Sequence, residues 1–352
     1  MNEFTTVIMV SFAAGIFGAA FGALPVFVLC GLFGIIGATA KICGAGDVLT
    51  NVLTWGLLLG PQTSFAGGIA AAAYAAKRGY IPSGRDICSG LMGLNKTDVL
   101  LIGGLFGAIG QLLMILFNLV PNINGIAWTN TLALSVVVST AIARIAFCKQ
   151  GVFGKVETGM NRWRPTSKVF WLPWQSKPSQ LLLIGIAMGI PAAYIVTANP
   201  DMLLIMFGIG AFSLIFLQYG TRIPVTHHIG LAAAYFAFVT GNFWWAATMG
   251  LVAVYLAEFF ACVFLIHADS HIDPPTCSLV VVFSLHPLLS LTGIFDKAAN
   301  GSLLSPAWIP AVSFVLVALI GFIVLILLRG KEPVIQTAVF EHKESVSEAV
   351  SA

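Results

Sequence analysis

The sequence predicts an all-α, polytopic integral membrane protein. Of its 352 residues, 58% are hydrophobic and only 9% are charged, and the mean hydropathy is +0.95. A soluble domain carries about 25% charged residues, and a globule of this size must still cover itself with polar groups. The composition therefore indicates a lipid bilayer as the chain's surroundings, and we expect the plasma (inner) membrane.

Membrane segments can be located along the chain because a helix that crosses a bilayer needs about twenty apolar residues. This length criterion predicts about twelve membrane segments, or ten to twelve if the short ones do not cross the bilayer. They lie near 5–22, 24–41, 46–60, 62–77, 98–120, 130–148, 179–198, 201–219, 225–241, 243–266, 275–294 and 306–329. Short or broken helices are expected in the third and fourth positions and in the ninth and tenth.

Similar stretches recur in the two parts of the chain. "AAGIFGAAFGALP" resembles "AMGIPAAYIVTANP", and "CGAGDVLTNVL" resembles "YGTRIPVTHHI", a pairing that sets Thr50 against Thr226 and Gly60 against Gly241. Repeats of this kind are a frequent basis of transporter folds. We predict two similar six-segment halves, residues 1–148 and 179–329, joined by a basic cytoplasmic linker at 149–178 and followed by a polar cytoplasmic tail at 330–352.

The distribution of basic residues predicts the orientation. The linker is rich in lysine and arginine, and basic loops of membrane proteins are usually cytoplasmic. Twelve crossings would then place both termini in the cytoplasm. The stretch "MNEFTTVIMVSFAAG" has no basic region and no cleavage site, so it is predicted to be the first spanning segment.

The first candidate site is formed by polar residues around the broken segments of both halves. Gly60, Pro61 and Gly241 should break helices, and a helix that starts inside the membrane points its positive dipole end at that place. Two such ends would form a site for a small polar or anionic solute. Ordinary helix packing is the alternative explanation. The candidate binding residues are Thr50, Asn51, Gln62, Thr63, Ser64, Thr226, His227, His228 and Asn242.

The second candidate is the stretch "HADSHID". His267, Asp269, His271 and Asp273 alternate, so an extended strand would point all four to one side, where they could bind a divalent metal. A plain polar loop is the preferred interpretation, and we predict no bound metal or cofactor. Histidine titrates near neutral pH, and acids inside a membrane are often functional. Proton-coupling candidates are therefore Glu258, His271 and His286.

Other classes of function are not favoured. The net charge of +3 is too small to indicate a nucleic-acid partner, and the six cysteines have no CxxC spacing, so neither disulfides nor a thiolate metal site is expected. No P-loop, GxSxG or HExxH motif is present, and nothing favours a hydrolase. A homo-oligomer is compatible with the sequence.

The stretch from about 222 to 280, with "PVTHHIGLAAAYFAF" and "HADSHIDPP", resembles the HPP family of small membrane proteins. In that family a proline and a histidine precede a Gly/Ala-rich helix, and a later helix ends near His-Pro-Pro. The resemblance implies nitrite-like transport, hence a small-anion substrate, and maps the family's histidines onto His228 or His227 and onto His271. This chain has "HIDPP" in place of a histidine directly before the two prolines.

The preferred prediction is a membrane transporter or channel that moves a small polar or anionic solute between the two halves, and not an enzyme. One alternative is an intramembrane enzyme or metal-handling protein that uses the cluster from His267 to Asp273. Another is a membrane subunit of a multi-component transport complex, which the basic linker would dock onto a partner.

Overall fold

The computed structural model describes residues 3–164, 169–295 and 308–329, and within these ranges the chain is all-helical, as predicted. The predicted tail at 330–352 lies outside the described residues. No β-strand forms in the described ranges, where the only strand-like pairings are two isolated bridges. The helices are α1 (Glu3–Phe21), α2 (Ala23–Ile42), α3 (Ser64–Lys77), α4 (Thr97–Phe117), α5 (Thr131–Phe147), α6 (Pro178–Ala198), α7 (Ile205–Phe212), α8 (Ile215–Gln218), α9 (His227–Thr240), α10 (Phe243–Phe260), α11 (Pro274–Ser290) and α12 (Trp308–Arg329).

Seven stretches of the described chain are helical, long and apolar enough to cross a membrane. They are α1, α2, α4, α6, Pro200–Gln218, Phe243–Leu265 and α12. The helices α5 and α11 are apolar but have only 17 residues each. The helices α3 and α9 have 14 residues each, which at 1.5 Å per residue gives about 21 Å, less than the hydrocarbon thickness of about 30 Å.

The twelve predicted segments are therefore not all present as helices. The third, near 46–60, is irregular apart from one π-helical turn at Thr50–Thr54. Glycines with positive φ at Gly44 and Gly46 precede this turn, and Gly60 and Pro61 follow it, so a continuous helix cannot form there. The eighth, near 201–219, is divided into short helical pieces that include α7 and α8.

Glycines allow α1, α3 and α4 to pack closely as one group. A Cβ atom added to Gly15 of α1 would lie 2.1 Å from the carbonyl oxygen of Gly103 in α4. One added to Gly67 of α3 would lie 2.7 Å from the Cα of Gly15. Small residues of this kind let backbones of membrane helices approach closely, and here they fix where α3 lies against its neighbours.

A second group consists of α6, α9 and α10. A Cβ added to Gly250 of α10 would lie 3.0 Å from the Cα of Gly189 in α6. Two contacts join the groups: α2 packs on α7, and α5 packs on α11. At the second contact, the hydroxyl of Thr129 donates a hydrogen bond of 3.0 Å to the carbonyl of Val280. The last helix, α12, packs on the outside against α10 and α6.

The loops between helices gather at two faces of the bundle. At one face, which we call the basic face, Ser83 donates to the Asp269 carboxylate at 2.7 Å, and the Trp174 indole donates to the Ile223 carbonyl at 2.8 Å. At the opposite face, Lys41 pairs with Asp47 and Asp201. Of the thirteen lysines and arginines within the described ranges, all except Lys41 belong to the basic face.

The contacts also set the direction of each helix. The α3 helix begins beside the middle of α4, where Gln62 donates to Gln111 at 3.3 Å, and ends at the basic face, where the Tyr74 hydroxyl donates to Asp98 at 2.9 Å. The α9 helix runs the other way, from inside the bundle to the opposite face. Both α3 and α9 thus begin in the interior of the bundle, and they run to opposite faces.

The first and last described helices end at different faces. The α1 helix runs antiparallel to α4, since Gly15 contacts Gly103 and Ser11 contacts Gly107, so Glu3 lies at the opposite face while Arg329 lies at the basic face. The prediction of both termini in the cytoplasm counted 46–60 as a separate crossing and stays a prediction, since the tail at 330–352 lies outside the described residues. In the bundle, the irregular stretch and α3 together pass from the opposite face to the basic face once.

Arg144 in the last turn of α5 and Arg162 in the following loop bind the chain at the end of α10. After α10 the chain continues into a π-helical turn, Ala261–Leu265, and a helix end leaves carbonyl groups without intrahelical partners. Arg162 donates to the carbonyls of Cys262 and Val263, and Arg144 donates to that of Phe264. Arg144 also donates to the hydroxyl and the carbonyl of Ser270, each at 2.7 Å, which fixes the buried loop that carries His271.

Candidate functional site

Two cavities enter the bundle, one from each face. The larger, the basic-face cavity, has a volume of about 490 Å³. Its polar lining groups come from the loop before α4, from the start of α9 and from the loop before α11. Its lining residues are Leu24, Phe27, Phe65, Ser83, Arg85, Asp86, Ile87, Cys88, Trp171, Leu172, Trp174, Leu214, Leu217, Val225, His227, Leu265, His271 and Asp273.

The opposite-face cavity has a volume of about 260 Å³ and is more apolar. A few polar side chains converge on it among many aromatic and aliphatic ones, which is the usual composition of a small-molecule site. Its lining residues are Phe27, Trp55, Pro61, Asn130, Leu132, Ala133, Leu203, Leu204, Phe207, His227, Leu231, Tyr235, Thr276, Leu279 and Phe283.

Phe27 and His227 are the two residues that line both cavities. Their rings are in edge contact, with centroids 4.8 Å apart, and the Phe27 ring also lies 5.2 Å from that of Phe65 in the first turn of α3. Phe27 therefore lies between the first turns of α3 and α9. The aromatic contact between Phe27 and His227 is therefore part of the lining of both cavities.

The backbone at the start of α9 is held closely by α7. A Cβ added to Gly210 would lie 2.7 Å from the His227 nitrogen and 2.8 Å from its Cα, so only glycine fits there. The His227 side chain is 5% exposed, and its Nδ1 has no hydrogen-bond partner among the described residues. The neighbouring His228 is fully buried, and neither of its ring nitrogens has a partner within the described ranges. Buried polar atoms are normally satisfied, so these imidazoles have spare capacity.

The predicted residues at the start of α3 are buried but line neither cavity. The hydroxyl of Thr63 donates to the carbonyls of Leu57 and Gly60, both at 2.8 Å. Gln62 is bonded to Gln111. Ser64 is fully buried, and its hydroxyl has no partner within the described chain. This group therefore holds the α3 turn in place and faces packed atoms.

Three other predicted binding residues lie away from the meeting point. Thr50 packs in the π-helical turn against Gly37 of α2, and Asn51 is exposed on that turn. Asn242 caps α10 at the opposite face, where its side chain accepts from the backbone of Trp244 and Trp245. The structure therefore does not bring Thr50, Asn51 and Asn242 together with His227, although Gly241 ends α9 where the sequence predicted a break.

The four residues of the "HADSHID" stretch face two different volumes. His267 and Asp269 line a separate cavity of about 380 Å³ at the basic face, while His271 and Asp273 line the basic-face cavity. The stretch is not an extended strand, because the chain turns as Asp269 binds Ser83 and Arg144 holds Ser270. Within the described ranges, no three His, Cys, Asp or Glu side chains form a group that could hold a metal ion.

His271 and Asp273 form a pair inside the basic-face cavity. The His271 Nε2 lies 3.2 Å from Asp273 Oδ1. The other carboxylate oxygen caps α11, where it accepts from the backbone nitrogen and the hydroxyl of Thr276. Thr276 in turn lines the opposite-face cavity, so this bonded group extends from one cavity to the other beside His227.

The remaining two proton-coupling candidates line neither cavity. Glu258 is buried and pairs with Arg329 at the end of α12. His286 accepts from, or donates to, the Tyr235 hydroxyl through Nδ1 at 2.7 Å. Glu258, predicted as a proton-coupling candidate, is thus held in an ion pair with Arg329.

Two lining residues were missed by the sequence analysis. Arg85 lines both the basic-face cavity and the cavity next to it, and no carboxylate lies within salt-bridge distance of it in the described chain. Burial lowers the pKa of the Arg85 guanidinium, and the Asp269 carboxylate opposes that shift, but arginine stays charged near neutral pH. Phe27 has no sequence signal, since one aromatic in an apolar helix resembles any other. Arg85 had one, as a charge in the loop "IPSGRDICSG".

The class of molecule is thus an apolar helical bundle whose long helices are compatible with a membrane protein, with a cavity opening from each face. A model of a family of unknown function (DUF7973) matches residues 1–169 and 162–304, and the chain belongs to this family. Comparison with curated proteins and with solved structures gives no match.

Proposed function

We propose that the protein is an integral membrane transporter or channel for a small anion or polar solute, and that the solute passes between the two cavities at Phe27 and His227. The observation that carries this proposal is that two cavities from opposite faces share these two residues. A binding site for a cofactor would need a cavity at one face only, and a packed core would need none. A pathway across the bundle needs one at each face.

We also propose that the two halves form an inverted repeat. The order α1 to α5 corresponds to the order α6, α7–α8, α9, α10 and α11, with α12 added. Both groups cross at glycines, Gly15 with Gly103 and Gly189 with Gly250, and both α5 and α11 are capped by a side-chain oxygen, from Asn130 and Asp273. The two segments matched by the family model meet in the linker. Five segments per half, an odd number, make the second half run in the opposite direction.

The repeat revises the proposed topology to eleven crossings. The basic face would be cytoplasmic by the positive-inside rule, which places the N-terminus outside and the end of α12 inside. In this arrangement α3 and α9 are half-helices that start near the membrane centre. Discontinuous helices of transporters often present their positive ends to anionic groups in this way.

Anions are favoured over cations by the groups that line the pathway. Arg85 supplies an unpaired positive charge at the basic-face mouth. The first turn of α9 supplies its backbone N–H groups and the side chain of its first residue, His227. Asp86 and Asp273 are the opposing charges of this cavity. The Asp86 carboxylate already accepts from the backbone nitrogens of Cys88 and Ser89, and that of Asp273 is bonded by His271 and Thr276.

Solute flux into proteoliposomes tests the proposal. Purified protein would be placed in liposomes and challenged with chloride, nitrate, formate and the neutral solute acetamide. We expect flux of at least one solute above that of protein-free liposomes, and an increase of about tenfold when Phe27→Ala removes the aromatic contact, since a lost barrier of about 1.4 kcal/mol changes a rate tenfold.

Phe216→Ala is the matched control, since Phe216 is 52% exposed and lines neither cavity. It should leave the flux unchanged. If neither the natural protein nor Phe27→Ala moves any of the four solutes faster than empty liposomes, the proposal is wrong. Arg85→Gln should lower anion flux and leave acetamide flux unchanged if anions are preferred.

A further inference from the structure

We propose that the protein moves protons together with its anion, and that His227, His271 and Asp273 carry them. This inference rests on the proposed function and adds the coupling ion, which the pathway alone does not define. Its basis is a row of titratable side chains, placed where the two cavities meet.

His227 is the one titratable residue that lines both cavities. Those lining only the basic-face cavity include the bonded pair of His271 and Asp273, and the opposite-face cavity adds Tyr235. In this proposal a proton from the basic face is taken up by His271 and Asp273 and reaches the other cavity on the His227 ring. Glu258 and His286 lie off this route, bonded to Arg329 and Tyr235.

The surroundings of His227 contain few charges. From α2 and α7 it meets the rings of Phe27 and Phe207 and the backbone of Gly210. Its own helix adds the ring of His228, with centroids 5.4 Å apart. The charged and titratable groups that share the cavity with it come from two loops and are Arg85, Asp86, Cys88, His271 and Asp273.

Proton and anion binding at this position reinforce each other. An isolated charge is costly to bury, so an imidazolium or an anion alone is disfavoured between these rings. An anion beside His227 makes protonation of the free Nδ1 favourable, and the imidazolium in turn strengthens anion binding by the same factor. The anion and the proton then cross as a neutral pair, and no net charge moves.

Release follows from the same linkage. When the anion leaves into the cavity at the other face, the imidazolium loses its partner and gives its proton to water there. An imidazole is suited to this exchange because a neighbouring anion favours its protonated form and the loss of that anion favours its neutral form. Protons are returned to the ring through His271 and Asp273 or directly from cavity water, so the cycle needs no other reactant.

The experiment measures proton and anion movement at the same time. Nitrate is the first probe, because its conjugate acid is too strong to carry protons across lipid unaided; chloride is the second. Proteoliposomes containing a pH-sensitive dye would receive an inward nitrate or chloride gradient without an ionophore. We expect internal acidification that follows anion uptake, and an inward pH gradient should drive anion accumulation.

Three variants separate the roles. His227→Gln keeps a hydrogen-bond donor but cannot carry a proton, so internal acidification should be lost, and anion flux should continue only when potassium and valinomycin are added to balance the charge. His271→Gln and Asp273→Asn should slow the proton movement about tenfold, the loss expected when one charge-assisted hydrogen bond of about 1.5 kcal/mol is removed. Asparagine still caps a helix, so Asp273→Asn should fold. His267→Gln, on the same loop but in another cavity, is the control and should behave like the natural protein.

The outcomes distinguish this inference from the proposed function. Anion flux that carries charge and leaves the internal pH constant would overturn proton coupling and leave the transport proposal intact. Internal acidification that persists in His227→Gln would likewise overturn proton coupling by His227 and leave the transport proposal intact. If neither nitrate, chloride, formate nor acetamide crosses, the transport proposal itself fails, and the inference fails with it.

Discussion

The short helices α3 and α9 have the same length and both begin inside the bundle, yet their first turns have different environments. At α3, Thr63 and Gln62 are bonded to neighbouring groups, and residues 62–64 line neither cavity. At α9, His227 lines both cavities with a free Nδ1. Polar residues at a helix break therefore do not define a site by themselves. Since the Ser64 hydroxyl is also without a partner in the described chain, it is the lining of both cavities by His227 that distinguishes the candidate site from the packing contact.

The largest effect is expected where α3 is held by backbone contacts. A Cβ added to Gly110 would lie 1.8 Å from the carbonyl oxygen of Gln62. Overpacking against backbone typically costs about 1–3 kcal/mol and occasionally more, which exceeds the gain of about 1 kcal/mol in helix propensity. Gly110→Ala should therefore yield little monodisperse protein, as measured by size-exclusion chromatography in detergent.

Gly93→Ala is the control for this variant, because a Cβ added there meets nothing within 4 Å. It should leave yield and Tm unchanged. Equal yields for the two variants would show that α3 does not begin against α4 as described.

The buried polar residues of α4 and α10 have partners of different kinds, one neutral and one charged. Gln111 makes a neutral bond to Gln62, whereas Glu258 pairs with Arg329. Removing one partner of a buried pair leaves an uncompensated charge and costs about 3–5 kcal/mol. We expect Glu258→Ala to lower the Tm in detergent strongly, and Gln111→Ala to lower it less.

The double variant Glu258→Leu/Arg329→Met tests the cause. Replacing both charges by apolar groups is often neutral or stabilising, so it should recover most of the Tm lost in Glu258→Ala and leave the flux unchanged. A double variant with a pH dependence of transport different from that of the natural protein would instead return Glu258 to the proton-coupling candidates.

The functional difference between the two first turns predicts an effect of about one order of magnitude. His227→Leu keeps an apolar side chain of moderate size but removes the imidazole, and hydrogen bonds to charged groups contribute about 1.5–3 kcal/mol, so anion flux should fall about tenfold. Ser64→Ala should change flux less than twofold, since Ser64 lines neither cavity. Similar losses in both variants would mean that α3 and α9 contribute equally to the pathway.

The sequence predicts some of this arrangement and not the rest, for identifiable reasons. Composition alone indicates the all-helical bundle, and Pro61 and Gly241 correctly mark helix ends, because these residues act locally. The predicted pairing of Thr50 with Thr226 stays a prediction; the structure places Thr50 in the π-helical turn and Thr226 at the N-cap of α9. Low-complexity Gly/Ala helices match in several registers, and the close packing of Gly15 on Gly103 and of Gly189 on Gly250 depends on contacts distant in the sequence.

The candidate site was predictable to the same limited degree. His227 and His271 stand out as polar groups in apolar surroundings, but Phe27 and Arg85 become recognisable only when α2 and the loop before α4 are placed around them. Grouping His267 with His271 assumed an extended strand. The turn at Asp269 and Ser270 depends on Ser83 and Arg144, which are distant in the sequence.

The smallest effect is expected at the N-caps of α5 and α11, where a side-chain oxygen caps each helix. Asn130 accepts from the backbone nitrogen of Ala133, and Asp273 accepts from that of Thr276. Replacing an N-cap by alanine costs about 1 kcal/mol, so Asn130→Ala and Asp273→Ala should each lower the Tm by a few degrees. Exchanging the cap types, as Asn130→Asp and Asp273→Asn, should leave the Tm nearly unchanged because both residues cap well. Transport should nevertheless respond to Asp273→Asn alone, since only Asp273 is bonded to a histidine in the basic-face cavity; a similar response to Asn130→Asp would mean that charge at the cap, and not the pair with His271, is what the pathway senses.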